Sequence, residues 1–101
     1  MAIAEIKVWP VGTNDPSISS YIREAFEIAD KNEDIEAVLT PTSTVLEGEL
    51  PTLLSVARSM HQAPFNRGCA RVVTTITIDE RYDSPAHMED MVDSVINSAD
   101  N

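Results

Sequence analysis

The segment ARVVTTITID, residues 70–79, gives the clearest indication of the fold because its apolar and polar side chains alternate over the whole length. The residues on one side are Ala70, Val72, Thr74, Ile76 and Ile78. The other side is more polar and ends at Asp79. A period of two is typical of a β-strand with one buried and one open face. We therefore predict a strand over residues 70–79, in a sheet with two chemically different faces.

Three further strands are predicted upstream of this stretch. Residues 3–11 alternate in the same way, with Ala4, Ile6 and Val8 on the apolar side. Residues 36–40 and 44–47 are short runs rich in β-branched side chains, separated by the turn sequence Pro-Thr-Ser. These two runs therefore predict a hairpin.

Helical spacing of apolar residues predicts three helices between and after the strands. The first follows the turn at residues 12–17 and extends to about residue 31. The second covers about residues 50–63, where Pro64 is expected to end it and Gly68 to provide the exit. The third begins at Ser84-Pro85, and its apolar stripe is Met88, Val92, Val95 and Ala99.

The resulting order, βαββαβ followed by a third helix, predicts one α+β domain over residues 1–101. Right-handed crossovers place the first two helices on the same face of the sheet, which leaves the other face open. Glu5, Lys7, Trp9 and Val73 fall on that open face. A surface of such mixed polarity is typical of a partner face or of the floor of a ligand site.

Composition excludes several classes of partner. The formal net charge is −10, from 17 acidic against seven basic residues, so nucleic acid is a poor partner. The acidic excess can be explained by solubility, because like charges keep protein molecules dispersed. A more specific alternative is adaptation to a high-salt cytoplasm, where ions screen the repulsion between these charges. Cys69, the single cysteine, cannot form an intramolecular disulfide. The first residues lack the features of a signal peptide and no run is apolar enough to span a bilayer, so we expect a cytoplasmic protein without a membrane partner.

Glu47 is the first candidate ligand-binding residue. It follows a run of hydroxyl-bearing residues, Thr40, Thr42, Ser43 and Thr44. A carboxylate beside neutral donors and acceptors can orient a polar heterocycle or a cation. The alternative is that Glu47 only caps the helix that follows it.

Three other residues outside this run are candidates on similar grounds. Thr13 and Ser19 flank a turn that could present hydroxyls and helix N–H groups to a ligand, although capping alone also explains them. Trp9 could stack on an aromatic ligand or pack in a subunit interface.

Catalysis and metal binding find little support in the motifs. No nucleophile elbow, phosphate loop, dinucleotide fingerprint or zinc-protease motif occurs, and no metal site or cofactor is expected. His61 has no second ligand at metal-binding spacing and is interpreted as a structural histidine. Asp79, Glu80 and Arg81 are interpreted as a solvated salt-bridge cluster, and a small hydrolase or isomerase that uses Asp79, Glu80 and His61 is the weaker alternative.

Three segments together carry a resemblance to a known family. They are VWPVGT at residues 8–13, LTPTSTVLEG at residues 39–48 and RVVTTITIDER at residues 71–81. In order and spacing they resemble the thiamine-binding proteins of the YkoF-like superfamily, over nearly the whole chain. The resemblance implies a ferredoxin-like βαββαβ sandwich with an extra C-terminal helix and no catalysis.

The resemblance also implies a ligand and an assembly. The ligand would be thiamine or a precursor of the hydroxymethylpyrimidine type, held near the interfaces of a homodimer or homotetramer. The matching positions are Thr13, Ser19, Thr42, Thr44 and Glu47, where Glu47 would receive the aminopyrimidine or offset the thiazolium charge. Trp9 departs from the smaller apolar residue expected there. The alternative is an oligomeric structural or regulatory protein without a small-molecule ligand.

Overall fold

Four strands and three helices make up the part of the chain that the computed structural model describes, residues 1–13, 18–83 and 88–98. In chain order they are β1 Ala2–Val11, α1 Ser19–Asp30, β2 Glu36–Leu39, β3 Thr44–Gly48, α2 Leu50–Asn66, β4 Arg71–Glu80 and α3 Met88–Ser98. The predicted order of elements is confirmed. The residues predicted to cap α1 and to start α3, at positions 15–17 and 84–85, lie outside the described residues.

The sheet has the strand order β2-β3-β1-β4, and all neighbouring strands are antiparallel. Strands β1 and β2 are therefore parallel with β3 between them, and β3 and β4 are parallel with β1 between them. This is the arrangement that two right-handed crossovers produce, so both crossover helices lie on one face. The predicted ferredoxin-like α+β fold is confirmed.

The core lies between the sheet and helices α1 and α2. Alternate residues of β1, from Ala2 to Val8, are buried on this face. The largest fully buried side chains are Ile6, Leu46, Leu53 and Met60. Burial of such side chains contributes about 1.5–3 kcal/mol each, so this face supplies most of the folding free energy.

Strand β4 is an edge strand that α2 covers only in part. The side chains of Ile76 and Ile78 lie opposite Ile6 and Ala4 of β1, on the helix face as predicted. They nevertheless remain 41% and 44% exposed. Alternation thus predicted the direction of these side chains correctly, but the reach of the helix layer limits their burial.

The end of α2 differs from the prediction, because the helix continues through Pro64 to Asn66. A proline in the last turn removes only one backbone hydrogen bond, and the buried ring packs on the core side. The amides of Cys69 and Gly68 donate to the carbonyls of Pro64 and Phe65, at 3.0 Å each. These bonds form a Schellman motif, with Gly68 at a φ of 94°. The predicted exit at Gly68 is confirmed.

Gly48 allows a close approach between β3 and the loop after α1. A Cβ atom at this position would lie 2.8 Å from Cγ2 of Ile35 and 3.4 Å from Cδ2 of Leu53. A larger residue would force one of these core side chains to move. Gly48 therefore fixes how closely β3 and α2 pack on the rest of the core.

Helix α3 lies on the opposite face of the sheet from α1 and α2. Its predicted apolar stripe does not become core, because Val92 and Val95 remain 57% and 71% exposed. Ala99, the last member of that stripe, is outside the described residues. In the part of the chain that the structure describes, no helix combines the length and apolar character needed to cross a membrane.

Candidate ligand-binding cleft

A cleft of about 670 Å³ separates α3 from the open face of β2 and β3. Its described lining combines an apolar set with four carboxylates and one hydroxyl: Ile3, Val38, Val45, Met88, Met91, Val92, Glu36, Glu47, Glu89, Asp93 and Thr40. Small-molecule sites in proteins have volumes of about 300–1,000 Å³ and mostly apolar walls. The cleft has the size and the surface of such a site.

The strand register brings the floor of the cleft together. Glu47 lies opposite Ile3 of β1 on one side and opposite Glu36 of β2 on the other. Val38 and Val45 are likewise opposite each other. Directly opposed residues project to the same face, so the period of two along each strand places these side chains in one layer.

Glu47 is the polar centre of the cleft and is only 7% exposed. Its carboxylate accepts a hydrogen bond from the backbone N–H of Met88, at 3.1 Å, where the described part of α3 begins. A carboxylate at this end of a helix also interacts favourably with the helix dipole. Glu47 therefore holds α3 over the sheet and leaves its own carboxyl group at the wall of the cleft.

The alternative role expected for Glu47, capping the helix that follows it, is wrong. Helix α2 has Glu49 at its N-cap position, and no side chain makes a cap hydrogen bond there. The Glu47 side chain instead projects to the open face and reaches α3, 41 residues further along the chain. Local sequence could not show this contact, because it depends on where α3 folds back.

The hydroxyl groups near Glu47 serve mainly to close the β2–β3 turn. The hydroxyl of Thr40 lies 2.7 Å from that of Ser43 and accepts the Ser43 N–H at 2.9 Å. Ser43 in turn donates to the carboxylate of Glu5 at 3.3 Å. Thr44 is buried on the helix face, opposite Ile6, so it points away from Glu47. Of these hydroxyl-bearing residues, only Thr40 lines the cleft.

The other predicted ligand residues lie apart from the cleft. Thr42 is exposed on the hairpin turn. Trp9 projects from the open face beside Val73 and is 49% exposed, in the half of the sheet that α3 does not cover. Thr13 and Ser19 lie beyond the far end of β1, and the extended chain from Ile3 to the end of that strand at Val11 spans about 26 Å. The structure thus brings only Glu47 of the six predicted residues into the cleft.

A second, more polar pocket of about 430 Å³ occupies the end of the sheet near Thr13. Arg67 lies across the ring of Tyr21, 3.8 Å from its centroid, and pairs with Glu24 at 3.2 Å. The hydroxyl of Ser20 also accepts a hydrogen bond from Arg67, at 3.2 Å. These contacts tie the end of α2 to the start of α1, so they have a structural role.

The three residues of the hydrolase or isomerase alternative are not brought together. His61 Nδ1 lies 2.6 Å from the Thr74 hydroxyl, in the helix layer, and its ring meets Phe65 edge-on at 5.4 Å. The structural role predicted for His61 is confirmed. Asp79 lies opposite Ile3, so it projects from the open face of the sheet.

Arg81 pairs with Asp83 at 2.8 Å rather than with Asp79 or Glu80. The hydrogen bond to Asp83 raises the pKa of Arg81 above its ordinary value. The hydrogen bond from the Tyr82 hydroxyl to Glu80 likewise raises the pKa of Tyr82. Both groups therefore keep their protons at neutral pH, as in an exposed polar cluster.

Sequence reasoning missed most of the cleft, including Glu36, Ile3 and the face of α3. The available signal was on α3, where Glu89 and Asp93 lie one turn apart next to the apolar pair Met88 and Val92. A helix face that carries both carboxylates and apolar residues is not a simple core face. It would have marked α3 as the wall of a site.

The protein is a small ferredoxin-like α+β protein. A cleft on the open face of its sheet has apolar walls that carry four carboxylates. The model of the thiamine-binding protein family matches residues 4–96. The chain therefore belongs to the thiamine-binding protein family.

Known relatives agree with this assignment. The UPF0045 protein YqgV of Bacillus subtilis is 40% identical over 98 residues, with 94% of each chain covered. A UPF0045 protein of Staphylococcus xylosus is 41% identical over 101 residues, covering 94% of this chain and 92% of that protein. The names of these relatives mention no catalytic activity.

Solved structures show the same fold. Protein MJ1052 of Methanocaldococcus jannaschii superimposes with a TM-score of 0.85 at 30% identity, covering 93% of this chain and 94% of that chain. A Thermotoga maritima protein, whose name proposes a role in thiamine biosynthesis or salvage, gives a TM-score of 0.76 at 20% identity over 93% of this chain and 97% of that one. At that identity the second likeness concerns the fold alone.

Proposed function

We propose that this protein binds thiamine, or a thiamine precursor of the hydroxymethylpyrimidine type, as a cytoplasmic carrier, buffer or sensor without catalysis. The observation that carries the proposal is the cleft under α3, in which the nearly buried carboxylate of Glu47 is surrounded by apolar walls. The family assignment supports the same class of ligand.

The chemistry of the cleft suits the two ends of such a ligand. Thiamine joins an aminopyrimidine, which carries hydrogen-bond donors, to a thiazolium ring with a delocalised positive charge. Glu47 can accept from the exocyclic amine, and Glu36 directly opposite it adds negative charge. Met88 and Met91 offer polarizable sulfur atoms to an aromatic ring.

Calorimetric titration with thiamine and with hydroxymethylpyrimidine tests this proposal. We expect saturable binding by the unmodified protein and a loss of about 1.5–3 kcal/mol of binding free energy in Glu47→Gln, the range for a hydrogen bond to a charged group. The amide oxygen of the substituted side chain can still accept the N–H of Met88, so α3 should keep its place. Glu33→Gln, in the exposed turn after α1, is the matched control. Equal affinity in both variants would remove the role given to Glu47.

We propose further that the protein forms a homodimer or homotetramer through the uncovered half of the open face. Trp9, Val11 and Val73 are exposed there, at 49%, 38% and 46%. An apolar patch of this kind is typical of a surface that another copy covers. Light scattering after size exclusion should give a multiple of the 11.1 kDa chain mass.

The same exposed patch also supports a second function, that of a structural or regulatory interaction protein without a ligand. Native mass spectrometry of the purified protein separates the two functions. A ligand-binding protein should gain the mass of thiamine when thiamine is added. A pure assembly protein should remain oligomeric and show no added mass.

A further inference from the structure

The cleft brings like charges together in two places. Glu36 and Glu47 are direct cross-strand partners on β2 and β3, about 5 Å apart at Cα. Glu89 and Asp93 are four residues apart on α3, so they share one helix face. Like charges in either arrangement destabilise the fold. The helix dipole favours Glu89 in the first turn but does not extend to Asp93.

The described lining of the cleft contains no lysine or arginine to offset these carboxylates. The four ion pairs between described residues are Lys7–Glu5, Arg23–Glu27, Arg67–Glu24 and Arg81–Asp83, all outside the lining. The negative charge of the cleft therefore comes from its own walls, where Glu36, Glu89 and Asp93 are exposed and Glu47 is nearly buried.

A metal ion does not fit this arrangement. Among the described residues, no group of three or more acidic, histidine or cysteine side chains is close enough to hold one. The carboxylates are instead distributed along two strands and a helix, with apolar side chains between them. The cation that fits these spread carboxylates is an organic one, whose charge is delocalised over a largely apolar molecule.

We propose that the cleft selects unphosphorylated organic cations and rejects their phosphate esters, an inference that rests on the proposed function. Of the forms in which thiamine occurs, only the unphosphorylated one carries a net positive charge, which the carboxylates of the cleft attract. A phosphate group would add negative charge next to that of Glu89 and Asp93. The specificity-determining residues are therefore Glu89 and Asp93 of α3. Glu36 adds to the negative potential in the cleft.

Titration with thiamine, thiamine phosphate and thiamine diphosphate, at low salt and without divalent cations, tests the selection. We expect thiamine to bind at least about tenfold more tightly than either ester, because each ester brings a like charge next to the carboxylates of the cleft. High salt should reduce this ratio by screening. The double variant Glu89→Gln/Asp93→Asn should reduce it as well. The matched control is Glu33→Gln/Asp34→Asn, which makes the same charge change on an exposed turn and should leave the ratio unchanged.

The outcomes separate this inference from the proposed function. Binding of thiamine with equal or tighter binding of its esters would overturn the inference and leave the proposed function in place. Binding of hydroxymethylpyrimidine without binding of thiamine would overturn the inference alone, and absence of binding of both ligands would overturn both. A second measurement uses Glu36→Gln, which should raise the melting temperature of the ligand-free protein and weaken thiamine binding. A lower melting temperature with unchanged affinity would show that Glu36 has a structural role and would count against the inference.

Discussion

The two faces of the sheet use the same strands for different purposes. On the helix face, the even-numbered residues of β1 are small or medium-sized and almost completely buried, as Ala4 and Ile6 at 1% exposure show. On the open face, the odd-numbered residues include Lys7 and the half-exposed Trp9. Stability is therefore concentrated on one face, which leaves the other free to carry charge, a cleft and exposed apolar groups.

The strongest test of this comparison is the substitution of neighbouring residues of β1 that project to opposite faces. Ile6→Ala should lower the free energy of unfolding by about 3 kcal/mol, because it leaves a cavity in the core. Lys7→Ala, which removes only a 3.8 Å surface ion pair, should change it by less than about 0.5 kcal/mol. Denaturant titration at one fixed protein concentration measures both. Similar losses in the two variants would mean that the open face contributes as much stability as the core.

A second test concerns the closest approach on the helix face. Gly48→Ala should lower the free energy of unfolding by about 1–3 kcal/mol, because the new Cβ would lie 2.8 Å from Cγ2 of Ile35. The effect should shrink in an Ile35→Ala background, which removes that methyl group. A full effect in both backgrounds would show that the strain arises elsewhere.

The third test removes a polar contact within the helix layer. Thr74→Val keeps the shape of the side chain but removes the hydroxyl that lies 2.6 Å from His61 Nδ1. We expect a loss of about 1 kcal/mol, the net value of one hydrogen bond. Thr75→Val, the next residue on the exposed open face, is the control, and thermal unfolding at constant pH measures both. A smaller loss in Thr74→Val than in Thr75→Val would contradict the contact.

The smallest effect on unfolding is expected for Trp9→Thr on the open face. In an isolated chain this change should alter the free energy of unfolding by less than about 0.5 kcal/mol, because the side chain is already half exposed. If another copy covers Trp9, the same change should shift the assembly towards monomers, which sedimentation measures over a concentration series. Unchanged sedimentation would exclude Trp9 from the interface.

Much of the fold was predictable because its signals are local. Strand β4 was predicted within one residue at each end by a period of two that needs no tertiary information. Pro64 was misleading, because a proline in the last turn costs one hydrogen bond that the packed end of α2 can tolerate. The exit at Gly68 was correctly predicted, since a left-handed residue favours glycine whatever surrounds it.

The candidate site was less predictable because it is built from residues far apart in the chain. Glu47, a ligand candidate from the sequence, lines the cleft, but the hydroxyl run beside it serves the turn. The neighbours of Glu47 in the cleft are Ile3, Glu36 and one face of α3. They come together only through the register of the strands and the position at which α3 packs against the sheet. No local sequence pattern predicts where α3 packs on the sheet.

The order of strands and helices and the two unlike faces of the sheet follow from the sequence, because hydrophobic periodicity acts between near neighbours along the chain. Tertiary contacts alone place α3 over one half of the open face, and therefore fix which carboxylates share one cleft. That choice depends on long-range contacts such as the hydrogen bond between Glu47 and Met88, and residues 41 positions apart leave no periodic signal of their meeting.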